Sequence, residues 1–137
     1  MKRNLAVCVV AAVVACGLGV AAWGIHLPSF PVLPVSSPQY YLVTQRAGGV
    51  AFSGDYDWFE VTLVGGAYYK ISLSVPWSAD IDISIYDENN NLVGSGTAGR
   101  GQSETVYISP IWTGPFFIKV QSHSGSGPYT LSLWKRA

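Results

Sequence analysis

The sequence predicts an all-β fold, an antiparallel β-sandwich, and three observations predict it. From Tyr40 onward apolar residues recur at every second position, the period of a strand with one face toward a core. Gly65-Gly66 and the run Asp87 to Asn91 break the alternation where turns belong. No stretch of a dozen residues in this region carries helical spacing.

The first element precedes that region. Met1-Lys2-Arg3-Asn4 leads into Leu5 to Ile25, twenty-one residues without a charge. As a helix this run would reach roughly 31 Å, against a hydrocarbon core of about 30 Å. Residues 1–25 therefore read as a transmembrane signal-anchor or a signal peptide. Leu5, Val9, Val13 and Leu18 would be membrane residues, and Trp23 falls where an interfacial aromatic would sit. Lys2 and Arg3 orient the span so that everything beyond Ile25 is extracytoplasmic, periplasmic or at the cell surface. Two rival readings use the same residues. Val20-Ala21-Ala22 offers small residues for cleavage before Trp23, which would make the protein secreted, and Val13-Val14-Ala15 precedes Cys16 as in a lipidation signal. Cys8 and Cys16 are the two cysteines, so the remainder of the chain must stand without disulfides.

Residues 26–39 form the second element. Pro28, Pro31, Pro34 and Pro38 recur every three or four residues. Each proline fixes its own φ and biases its predecessor away from helix, so the segment reads as an extended, semi-rigid stalk.

Residues 40–137 form the third element, the β domain. Phe59, Val61 and Leu63 share one face of a strand. Tyr69, Ile71, Leu73 and Val75 share a face of the next, and Ile81, Ile83 and Ile85 alternate with Asp80, Asp82, Ser84 and Tyr86. Val106 with Ile108, Phe116 with Ile118 and Val120, and Tyr129 with Leu131 and Leu133 complete the pattern. One apolar and one polar face per strand is the signature of two stacked antiparallel sheets.

These segments resemble a known family, the bacterial pre-peptidase C-terminal (PPC) domain. The resemblance runs from about Val50 to Trp134. It rests on Phe52-Ser53-Gly54-Asp55-Tyr56-Asp57-Trp58-Phe59, Ala79 to Asp87, Thr113 to Val120, and Ser124 to Leu133, in family order. It implies a jelly-roll-like sandwich related to the collagen-binding domains of secreted collagenases, and a non-catalytic module. Some relatives bind collagen or other polymers and some bind calcium. An anchor and stalk stand here where the peptidase would be.

Asp55-x-Asp57 and Asp80-x-Asp82 each place two carboxylates on one side of an extended chain, and hard oxygen donors suit Ca²⁺. The alternative is that Asp55 and Asp57 close a turn through Asx hydrogen bonds while Asp80 and Asp82 face water. No cofactor is required by anything in the chain, and calcium is the one candidate. Asp87 to Asn91 looks briefly like an EF-hand loop, but Leu92 stands where glycine is needed and Ala98 where the bidentate glutamate belongs. It reads as a hairpin turn.

Gly94-Ser95-Gly96-Thr97-Ala98-Gly99 spells a dinucleotide fingerprint but lacks the helix that must open at its third glycine, so it reads as a flexible loop and not as a nucleotide site. Eight Lys and Arg balance eight Asp and Glu. The basic residues are scattered along the chain, which argues against nucleic acid as a partner. The histidines are His26 in the stalk and His123 in a Ser-Gly-rich turn, and no nucleophile elbow or zinc-protease helix occurs. Nothing points to an enzyme.

Trp58, Tyr68, Trp77, Tyr86, Trp112 and Phe117 fall out of phase with the inferred core. A subset sharing one face would form an amphipathic binding surface. Otherwise each packs singly at an edge or under a loop. The chain as a whole reads as a membrane-anchored accessory protein whose sandwich docks on a protein partner, for example as a small subunit of a membrane complex. The alternative is a secreted or surface module that binds collagen-like protein or polysaccharide with the help of calcium.

Overall fold

Eight strands follow one another in the computed structural model, which describes residues 36–137. They are β1 (Tyr40–Val50), β2 (Tyr56–Leu63), β3 (Tyr69–Ser74), β4 (Asp80–Asp87), β5 (Leu92–Gly96), β6 (Glu104–Ile108), β7 (Gly114–Ser124) and β8 (Gly127–Arg136). They pair into two four-stranded sheets, β1-β8-β3-β6 and β2-β7-β4-β5. Every ladder is antiparallel. Eight strands divided in this way between two sheets form a jelly roll. Residues 36–39 are exposed and lack regular structure. The expected anchor, with Leu5, Val9, Val13, Leu18 and Trp23, and most of the stalk lie outside the described residues. Among the described residues no helix is long and apolar enough to cross a membrane.

The alternating residues bury as the period requires. Ile71 and Leu73 of β3, Ile81, Ile83 and Ile85 of β4, and Phe116, Ile118 and Val120 of β7 meet between the sheets with Tyr129, Leu131 and Leu133 of β8. Val75 lies just beyond β3 and packs against the rim of this core. These ladders and core contacts are made within residues 36–137, which form one compact unit.

Two features differ from the sequence expectation. Gly94 to Gly96 belong to β5 rather than to a loop. Their glycines face inward where a side chain has no room: a Cβ on Gly94 would stand 2.8 Å from a Val106 methyl, and one on Gly96 would collide with the Glu104 carboxylate. Absence of side chains there lets the short edge strand close down on β6. β1 is the other difference, an eleven-residue strand whose register against β8 shifts between Leu42 and Thr44. A bulge of this kind turns successive side chains out of strict alternation.

The turn after β4 is built by Asp87. Its carboxylate accepts hydrogen bonds from the Asn89 and Asn91 amides, both at 2.8 Å, and from the Asn91 side chain at 2.9 Å. Asn90 takes a positive φ of 62°, a conformation asparagine tolerates better than most residues. These contacts hold the Asp87 carboxyl below its ordinary pKa, with the Asn91 side-chain amide the largest cause, burial opposing it, and the backbone amides assisting.

Candidate functional site

The outward face of the β2-β7-β4-β5 sheet is set by register. Trp58 stands opposite Lys119, and Lys119 opposite Ser84; one row along, Glu60, Phe117 and Tyr86 are in line. Strand alternation puts Tyr56, Trp58, Phe117, Lys119 and Tyr86 on this side because their neighbours Phe59, Ile118 and Ile85 point inward. The side chains meet. Trp58 and Tyr86 flank β7 with ring centroids 5.5 Å apart at 53°. Lys119 Nζ lies 4.8 Å from the Tyr56 ring centre and 5.9 Å from that of Trp58. Such cation–π contacts contribute about 0.5–1 kcal/mol at exposed sites, and they help to hold the rings in place. Tyr56 and Trp58 each keep about half of their surface exposed.

Of the six aromatic residues nominated from phase alone, Trp58, Tyr86 and Phe117 share this face and the other three do not join it. Tyr68 lies just before β3, its ring under the Arg136 guanidinium at 5.4 Å. Trp77 stands alone in the β3–β4 connection, 85% exposed. Trp112 stacks on Phe116 at 6.0 Å and 24° and packs against the core, with its indole N–H buried and unpartnered. Tyr56 and Lys119 were not nominated from sequence. The signal that finds them is cross-strand pairing, which a linear reading lacks.

The four nominated carboxylates occupy one end of the same sheet. Asp55 closes the β1–β2 turn, accepting from the Ala51 amide at 2.7 Å and the Tyr56 amide at 3.0 Å. Asp57 points inward and accepts a hydrogen bond from the Tyr129 hydroxyl. The Tyr129 phenol is pushed well up from its ordinary range, first by burial and then by this bond to Asp57. Asp80 and Asp82 lie on β4, and Asp82 is separated from Tyr56 by Gln121 of β7, so the two acidic pairs stand two strand spacings, about 10 Å, apart along the sheet. Burial raises the Asp82 pKa, as does Asp80, while His123 lowers it. Glu104, buried on β6, is raised by burial; the Ala98 amide bonded to it opposes this, and Asp82 and Asp80 add to it. Among the described residues no three or more His, Cys, Asp or Glu side chains gather as a metal-ion site would need.

His123 lines a shallow cavity with Gly54, Asp82, Gln121 and Ser122. The Ser122 side chain is buried, and its hydroxyl donates to the Gly125 carbonyl at 2.8 Å. That hydroxyl is a structural tie across the β7–β8 turn.

Among solved structures, the pre-peptidase C-terminal domain of a collagenase from Bacillus anthracis superposes with a TM-score of 0.53 at 20% identity, over 66% of this chain and 87% of that one. The chain shares the fold of a pre-peptidase C-terminal domain. PliG of Aeromonas hydrophila, a periplasmic inhibitor of g-type lysozyme, is similar to the same degree, with a TM-score of 0.54 at 12% identity over 76% of this chain and 92% of that one. No protein-family model and no curated protein sequence matches the chain. At such identities the PPC and PliG likenesses establish a common sandwich, and function belongs to the sites each sequence places on it.

Proposed function

We propose that this chain is a membrane-tethered, extracytoplasmic accessory protein that catalyses nothing and docks on a protein partner through the outer face of β2-β7-β4-β5. The observation that carries this reading is the cluster of Tyr56, Trp58, Tyr86 and Phe117 around Lys119. Aromatic residues ordered on a rigid sheet present large amphipathic area at little further entropy cost, the property that makes Trp and Tyr frequent binding anchors. Glu60 and the Asp82 carboxylate border the patch, which favours a partner with basic groups at the rim.

The test is a photo-crosslinking residue at Tyr86 in the full chain in its native membranes, with intact mass measured alongside. A single stoichiometric adduct that disappears with Trp58→Ala supports the reading. A full-length monomer that crosslinks to nothing and purifies alone in mild detergent overturns it.

A second reading is supported by the same rings, since aromatic faces also stack on polymers. In that case residues 40–137 alone bind collagen-like peptide or polysaccharide, and the native mass begins near Trp23.

A further inference from the structure

Equal numbers of acids and bases conceal a segregation that folding produces. The β1-β8-β3-β6 strands hold Arg46, Lys70, Lys135 and Arg136 against one acid, Glu104, which is buried and faces inward. The β2-β7-β4-β5 strands hold Asp57, Glu60, Asp80, Asp82 and Asp87 against Lys119 alone. One layer is cationic and the other anionic.

The cationic layer is also aromatic at one end. β1 begins, β8 ends, β3 begins and β6 ends there, as the pairings Tyr40 with Arg136, Tyr69 with Lys135 and Tyr69 with Ile108 require. Lys70 Nζ lies 4.7 Å from the Trp134 ring centre and 5.3 Å from that of Tyr40, whose ring is 6.3 Å from that of Tyr107. Tyr68 under Arg136 continues the patch. Tyr68, Tyr107 and Ile111 are 54%, 64% and 86% exposed. Two acids reach this end from the other sheet: Asp87, whose carboxylate is bonded within its own turn, and Glu88, whose carboxylate lies beside Gly114.

We propose that this end of the sandwich rests on an anionic bilayer surface, with Lys70 and Arg136 at the lipid phosphates, Trp134, Tyr68 and Tyr107 at headgroup depth, and Ile111 reaching the acyl boundary. Tyr and Trp with an apolar body and a polar tip, beside Lys and Arg on long apolar stems, are the side chains that partition to that interface. Basic residues near an anionic leaflet are each worth about 1 kcal/mol, about a fivefold change in a docked-to-free ratio. Charge complementarity selects an anionic surface, and chain connectivity selects a membrane. β1 starts at this end, and only the fourteen residues 26–39 separate it from the uncharged run Leu5 to Ile25, a reach of at most about 50 Å. The inference rests on the tethered reading above, and it leaves the opposite sheet's aromatic face free for the protein partner.

The experiment uses the full chain in a Cys8→Ser, Cys16→Ser background, reconstituted in phosphatidylcholine vesicles with or without phosphatidylglycerol. An environment-sensitive fluorophore is attached at Ile111→Cys or, at the far end, at Trp77→Cys. The expected result is a blue shift and quenching by nitroxide lipid at position 111 in anionic vesicles and none at position 77. Lys70→Glu and Arg136→Glu should each lower the docked-to-free ratio about fivefold or more, with Arg100→Glu, exposed near Trp77 at the far end, as the unaffected control. Equal signals at 111 and 77, or shielding at 111 that appears in native membranes but never in pure lipid, overturns the proposal; the latter would assign the face to a protein. Intact mass from native membranes tests the tether separately, so loss of the anchor and loss of lipid docking are told apart.

Discussion

Replacing Ile83 by aspartate tests the phase on which the whole sandwich rests. Ile83 has no exposed surface and pairs across β4 with Val120 on one side and Gly96 on the other. Removing its buried apolar atoms costs about 2–5 kcal/mol, by comparison with large-to-small core substitutions. The new carboxyl must be neutralised to stay buried, and holding it protonated at neutral pH against an ordinary pKa near 4 costs about 1.4 kcal/mol per unit, about 4 kcal/mol in all. The loss of about 6–9 kcal/mol is comparable to the roughly 5–15 kcal/mol that stabilises a domain. Ser84→Asp is the matched control, because Ser84 faces outward opposite Lys119 and a surface change of this kind is worth about 0.5 kcal/mol or less. Thermal unfolding of both variants, followed by circular dichroism, separates them. Ile83→Asp should lack a cooperative transition at 25 °C and above, and Ser84→Asp should melt within a few degrees of the parent. A folded Ile83→Asp with a destabilised Ser84→Asp would invert the phase of β4 and refute the core assignment.

Tyr129→Phe leaves the Asp57 carboxylate without its phenolic donor and should cost about 1.5–3 kcal/mol in a denaturant titration, the range for hydrogen bonds to charged groups. Glu104→Gln should raise the melting temperature at pH 7 and flatten its pH dependence. The folded pKa values of Glu104 and Asp82 are raised, so their contribution is most favourable below the unfolded carboxylate range and is lost as pH rises through the folded values. Asp87 works in the opposite sense. Its folded pKa is lowered, so its contribution is complete above the unfolded value and disappears as pH falls through the folded one, and Asp87→Ala should abolish that acid-side decline in a pH series of melts. Gly96→Val should destabilise the β5 edge, because its side chain must displace the Glu104 carboxylate. Hydrogen exchange at Leu92 to Gly96 should then accelerate more than exchange in β7.

The legible strands were β2, β3, β4, β6, β7 and β8, each with one face covered by the opposite sheet, so that most of its inward positions are apolar and alternate with polar ones. β1 is at an edge and bulged, and its run Tyr40 to Val43 is apolar on both faces, so period two fails locally. β5 was obscured for a different reason. Its inward positions are glycines, chosen by the approach of Val106 and Glu104 from β6, and glycine in a short segment reads as a loop.

The sequence by itself determined the β class, the inward set from Phe59 to Leu133, and the turns at Gly65-Gly66 and Asp87 to Asn91, because these depend on residues within a few positions of one another. Only the tertiary structure decided which aromatic residues share a face. Trp58 meets Tyr86 and Lys119 through pairings between β2, β7 and β4, and Lys70 meets Trp134 through a pairing between β3 and β8. The separation of charge between the layers has the same origin. Apart from β4 and β5, neighbouring strands in the chain enter opposite sheets, so bases and acids interspersed along the sequence are sorted by the order of the ladders, and that order is set by contacts between residues far apart in the chain.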